Sequence, residues 1–205
     1  MDIQQIALLL ISLVFSAGVL VQIITNAKNK RAEFLSFELA VLLLLPYIPW
    51  SISALLAGDM FLLGIMVLNG SVSMYLGAQY FIYEWHMRKL DISEKFALAL
   101  IVIGLLMMIG IALTGNILLA LQVAASIFTF SMIVYGLLAK MYRIFYKGEN
   151  LQGLNITTLV VTSLLYAFMA LHGYTTANWW LFGAYMFGLI VAIAATIFRT
   201  RELTK

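Results

Sequence analysis

Seven apolar runs follow one another along this chain with only short polar breaks between them: about Ile6–Ile24, Phe34–Leu56, Met60–Trp85, Phe96–Leu113, Ile117–Leu138, Leu154–Leu171 and Trp180–Phe198. A helix crossing the hydrocarbon core of a bilayer needs about 20 apolar residues. Within hydrocarbon every backbone N–H and C=O must be satisfied inside the structure, so runs of this length are restricted to helices. Composition agrees: of the 205 residues 64% are apolar and 10% charged, with a mean hydropathy of +1.03, against roughly 45–50% and 25% in a soluble domain. The expected fold class is all-α, a polytopic membrane protein of seven transmembrane helices forming one domain over residues 1–205. Seven spans leave no room in this length for a soluble catalytic or DNA-binding domain.

The cations fall at alternate breaks. Lys28, Lys30 and Arg31 follow the first run, Arg88, Lys89 and Lys95 the third, Lys140, Arg143 and Lys147 the fifth, and Arg199, Arg201 and Lys205 the seventh. The intervening breaks carry only Asp2 and Asp59. Because cytoplasmic loops concentrate Lys and Arg, this pattern places the N-terminus outside and the C-terminus in the cytoplasm of a multi-pass cell-membrane protein. The net charge of +3 is thereby read as topology, with no nucleic-acid partner.

Asp2 follows Met1 without a basic n-region or a small-residue cleavage site, so the first run is expected to be a retained span. Trp179 and Trp180 open the seventh run and Trp85 closes the third, positions where indole rings anchor at membrane interfaces. Asp91 with Glu94 three residues on resembles a capping box before the fourth run. Gly104, Gly110, Gly183 and Gly188 are expected to allow close helix approach.

Function-bearing candidates are few. Pro46 and Pro49, in Pro46-Tyr47-Ile48-Pro49-Trp50, each remove a ladder donor, freeing the carbonyls of Leu42 and Leu45 and kinking the second span. Such carbonyls need a neighbouring donor, a water or a ligand. On the third span Asn69, Ser73, Tyr80 and Glu84 are separated by 4, 7 and 4 residues and share one helical face, with Tyr75, Gln79 and His86 on an adjoining flank. This face reads either as the wall of a polar pocket or as interhelical hydrogen bonding. Glu38, about two turns into the second span, is an intramembrane carboxylate that either faces the bundle or reaches back to the basic rim. Asn69, Ser73, Tyr80, Glu84, Pro46, Pro49 and Glu38 form the candidate ligand-binding set. His172, Tyr174, Thr175, Thr176 and Asn178 gather at the expected outer mouth near Asp59, as a ligand-binding lip or an ordinary wet loop.

Enzymatic chemistry is not expected. The absence of Cys removes thiolate and Fe–S chemistry, and His86 and His172 fall at opposite ends of their spans, so they share neither a haem nor a zinc. No H-E-x-x-H, G-x-S-x-G or Ser-His-Asp arrangement is present. Catalytic and metal-ligating residues are therefore expected to be none, and no cofactor is identified. A retinal Schiff base is excluded because the seventh run contains no lysine.

The short outside N-terminus, the basic break at Lys28 to Arg31, and a third span reading Asn69 to Tyr80 before Arg88 and Lys89 resemble the seven-helix N-terminal input regions of bacterial sensor histidine kinases and diguanylate cyclases. That resemblance covers the whole chain and implies a sensing role; with no output domain following Phe198, the signal would pass to a separate partner. The resulting expectation is a non-enzymatic membrane protein acting as a small ligand- or lipid-sensing module, or as an accessory subunit. Its partners would be membrane lipids, a protein in the membrane or cytoplasm, and a second copy of the chain. The alternative is a small seven-helix transporter for a neutral or proton-coupled solute, which the lack of a midplane Asp, Glu, Lys or Arg weakens for ion coupling.

Overall fold

The computed structural model describes residues 3–30, 43, 45–83, 92–134 and 156–203. Among these residues the chain forms seven α-helices: α1 Ile3–Asn29, α2 Tyr47–Ala57, α3 Met60–Tyr83, α4 Ile92–Ala112, α5 Ile117–Ile133, α6 Ile156–Thr175 and α7 Trp179–Leu203. Each falls on one of the seven apolar runs. Three of them, α1, α3 and α7, are long and apolar enough to cross a membrane. Their 27, 24 and 25 residues correspond to lengths of about 36–40 Å at 1.5 Å per residue. The residues divide into two units, Ser16–Ser131 and Met1–Phe15 with Met132–Lys205.

Within Ser16–Ser131, α2 and α3 form a helical hairpin closed by Gly58 and Asp59. Gly58 adopts a left-handed conformation, with φ 72° and ψ 13°. Its N–H donates to the Leu55 carbonyl at 3.2 Å, while the Asp59 N–H donates to Ala54 at 2.9 Å. This Schellman arrangement satisfies the last carbonyls of α2. The Asp59 carboxylate then accepts the Leu62 N–H at 2.9 Å, capping α3. Tyr47 meets Gly70 and Ser73, pairs symmetric about the turn, so the helices run antiparallel.

The α4–α5 connection uses the same device. Gly115 takes φ 87°, its N–H donates to Ala112 at 3.0 Å, and Asn116 Oδ1 accepts the Leu119 N–H at 3.0 Å. Gly104 lies against the Phe128 ring, again symmetrically about the turn.

In the other unit, α6 and α7 repeat the pattern with alanine in place of glycine. Ala177 stands at φ 54°, the Asn178 N–H donates to Gly173 at 2.8 Å, and Asn178 Oδ1 accepts the Leu181 N–H at 3.1 Å. Gly173 brings the two backbones together: a Cβ there would lie 2.6 Å from the Phe182 nitrogen. Gly188 packs on Ile133 and Tyr166. Of the four glycines expected at close approaches, Gly104 and Gly188 occupy them, whereas Gly110 and Gly183 face open space. Those two lie on the outward sides of their helices, where a missing Cβ brings no neighbour closer.

The Ala177 conformation is strained, since an L-residue in the left-handed region carries roughly 1–2 kcal/mol that glycine does not. Ala177→Gly is expected to stabilise the protein by about 1 kcal/mol, and Asn178→Ala to destabilise it by about 1 kcal/mol through loss of the α7 cap. Thermal unfolding of the two variants in one detergent checks both signs.

Candidate functional site

The polar face of α3 is buried, and α1 covers it. Ser16 Oγ donates to Asn69 Oδ1 at 2.9 Å, and Asn26 Nδ2 donates to Gln79 Oε1 at 3.1 Å. Both bonds join residues separated by 53 positions. The same offset at two points ten residues apart means that α1 and α3 run parallel in one fixed register. Around the second contact Gln22 Nε2 donates to Asn26 Oδ1 at 2.8 Å, and Gln79 Nε2 donates to the Ile23 carbonyl at 2.9 Å. Gln79 thus spends both ends of its carboxamide on α1.

A second set of contacts ties α2 into the same unit. Ser73 Oγ donates to the Tyr47 hydroxyl at 3.3 Å, and the Trp50 indole N–H donates to Thr129 Oγ1 at 3.0 Å. Thr129 passes its own proton to the Ala125 carbonyl at 2.8 Å, which leaves its lone pairs for the indole. The seat for Tyr47 depends on Gly70, where a Cβ would approach the Tyr47 Cβ to 2.8 Å. Proline explains why α2 starts where it does. Residues 45 and 46 bend, helix resumes at Tyr47, and the first ladder bond at this end runs from the Trp50 N–H to the Pro46 carbonyl at 3.3 Å. Pro49 lies in the first turn of α2, where a missing N–H removes little. The break at Leu45 and Pro46 is the interruption anticipated in the second span.

The candidate set is therefore brought together in part. Asn69, Ser73 and Tyr80 are all buried on α3, as are Pro46 and Pro49 at the start of α2. Tyr80 stands edge-on to the neighbouring Phe81 ring. The adjoining flank divides: Gln79 is buried, whereas Tyr75 is 57% exposed. Glu38, Glu84 and His86 lie outside the described residues. The outer-mouth group is spent on its own turn. Thr175 and Thr176 donate to main-chain carbonyls of α6, with Gln4 reaching Thr175 at 3.4 Å, and Asn178 caps α7. Asp59 belongs to the other unit and caps α3.

Sequence reading missed Ser16, Gln22 and Asn26, the partners on α1. Their signal was present: Ser12, Ser16 and Asn26 recur at helical spacing in an otherwise apolar run, and all three are buried. The pairing of Trp50 with Thr129, a residue that reads in sequence as a helix-packing position, was not foreseen, since no pattern within either run indicates it. The assembled group consists of amides, hydroxyls and an indole, chemistry suited to joining helices or exchanging hydrogen bonds with a polar ligand. Among the described residues no three His, Asp or Glu side chains gather as a metal-binding cluster. Comparison with known protein families, with curated proteins and with solved structures gives no match for this chain.

If the amide contact fixes the α1–α3 register, Asn26→Leu and Gln79→Leu will each destabilise by about 1–3 kcal/mol by stranding a buried partner. A double-mutant cycle should recover a coupling of about 0.6–1.7 kcal/mol. Gly70→Ala should unseat Tyr47 and cost about 1–3 kcal/mol, read from the unfolding of the same preparations.

Proposed function

We propose that the chain is a seven-span protein of the cell membrane, with its N-terminus outside and its C-terminus in the cytoplasm, acting as a non-enzymatic sensing module for a small ligand or lipid. The observation that carries this reading is the parallel, hydrogen-bonded pairing of α1 with α3. Two span-length helices running the same way require the chain between them to return once, and α2, antiparallel to α3, supplies the end of that return. The hairpins α4–α5 and α6–α7 add an even number of crossings, and the span-length α7 supports a crossing for its antiparallel partner. Orientation follows from the cations: Lys28 and Lys30 end α1, and Arg199 and Arg201 end α7, while the three tight turns carry none.

The sensing element is the polar face of α3, with Asn69, Ser73 and Tyr80, together with the Pro46/Pro49 break before α2, and with Glu38 and Glu84 on the flanking stretches. A ligand that binds one arrangement of these helices better than another shifts the population by its differential affinity. The basic cytoplasmic ends pass that shift to a membrane or cytoplasmic partner, and they also favour anionic lipid headgroups by about 1 kcal/mol per cation.

Because the chain contains no Cys, single cysteines report topology without background. Thr114→Cys and Tyr174→Cys are expected to react with an impermeant maleimide on intact cells, and Asn29→Cys and Thr200→Cys only after permeabilisation; the reverse pattern overturns the orientation. Native mass spectrometry of protein purified in mild detergent tests the role. A stoichiometric small molecule or lipid lost in Asn69→Leu and Tyr80→Phe supports sensing. Solute uptake by proteoliposomes would replace sensing with transport, and a bare chain bound to another protein would make this an accessory subunit.

A further inference from the structure

Hydroxyls on the described helices share one habit. Thr25, Ser71, Ser126, Thr129, Ser131, Ser163, Thr196 and Thr200 each donate to the carbonyl four residues earlier on their own helix. Ser16 and Ser73 donate to side chains on other helices, and two buried hydroxyls, Ser12 in the other unit and Ser53, have no hydrogen-bond partner among the described residues. Ser53 lies on α2 one turn beyond Trp50 and is 1% exposed. The preceding turn is the proline turn, and on the same buried face Tyr47 and Trp50 hold α2 through one hydrogen bond each, to Ser73 and Thr129.

We propose that α2 is a two-position latch. In the position described here Tyr47 and Trp50 are engaged and the Ser53 hydroxyl is buried unpaired. In the second position α2 turns about the Leu45–Pro46 break, Ser53 gains a hydrogen-bond acceptor, and the Trp50–Thr129 bond opens. A buried hydroxyl without a partner is a penalty built into the first position, and it offsets the single indole bond that holds that position closed. The two positions are therefore close in free energy, as a bistable element requires. This inference rests on reading the α2–α3 contact as the moving part, but it concerns the ligand-free protein and is tested without a ligand.

The test uses the full chain labelled with 5-fluorotryptophan in detergent micelles, with the Trp50 resonance among the four tryptophans assigned by Trp50→Phe. The wild-type protein should give two Trp50 fluorine lines, or one line broadened by exchange. Ser53→Ala, which removes the penalty, should shift the population toward the described position by about tenfold and raise the midpoint of thermal unfolding. Thr129→Val, which removes the latch, should move the population the other way. A single sharp Trp50 line unmoved by Ser53→Ala overturns the proposal. So does a Ser53→Ala protein that melts earlier, because a water or ligand already satisfying the hydroxyl would then be lost. Either result leaves ligand capture in native mass spectrometry as a separate question, so the sensing reading and the latch fail independently.

Discussion

The amide and hydroxyl contacts between α1 and α3 are the constraint on which the arrangement of the Ser16–Ser131 unit depends. Apolar helix faces slide past one another at little cost, because one leucine contact resembles the next, and in a bilayer lipid tails compete for the same surface. A carboxamide such as Gln79 behaves differently: displaced by one turn it leaves both of its ends unpaired in an apolar setting. With Ser16 on Asn69 and Asn26 on Gln79 at one common offset, α1 has a single satisfied register against α3. The packing of the smaller groups, such as Tyr47 in the notch at Gly70, is arranged around that register.

The turns obey the same requirement at the helix ends. A helix leaves four carbonyls and four N–H groups without ladder partners, and a connection of two to four residues has little chain with which to satisfy them. Each of the three hairpins places one residue in the left-handed region, with its own N–H, and in two of them the next N–H as well, bonded back to the finished helix, and then an Asp or Asn whose side chain caps the next. Polar side chains at these positions are consumed by the backbone. The Thr175, Thr176 and Asn178 cluster, which in sequence resembles the lip of a site, belongs to this category.

What was legible in the sequence follows from the strength of each signal. Apolar runs of near-span length marked all seven helices, because burying backbone in an apolar medium constrains every residue of the run. Pro46 marked the break before α2 for the equally local reason that it lacks an N–H. The shared face of Asn69, Ser73 and Tyr80 was visible because all three lie on one helix. The partners of Asn69 and Ser73 were not, because Ser16 and Tyr47 lie on other helices, as do Asn26 for Gln79 and Thr129 for Trp50, and only tertiary register decides which polar group meets which. The exposed side of Gly110 and Gly183 was misjudged for the same reason: glycine permits close approach without supplying a neighbour.

Differences in the number of hydrogen bonds also distinguish the α1–α3 pair from α2. Interhelical hydrogen bonds in membrane proteins contribute about 0.6 kcal/mol each on average, since the alternative state also finds partners. α1 is fastened to α3 by three such bonds from side chains spread over more than two turns, so any tilt or slide must break several together. α2 is only 11 residues long, it begins at a proline break, and among the described residues one side-chain bond joins it to α3 and one to α5. Breaking either costs little more than thermal energy. For the latch proposed for α2, a differential interaction of about 1–3 kcal/mol, the usual scale of coupling between sites, exceeds the cost of either bond and leaves the α1–α3 register intact. Among the described residues the unit therefore combines a multiply bonded pair of long helices with one short helix held by fewer hydrogen bonds.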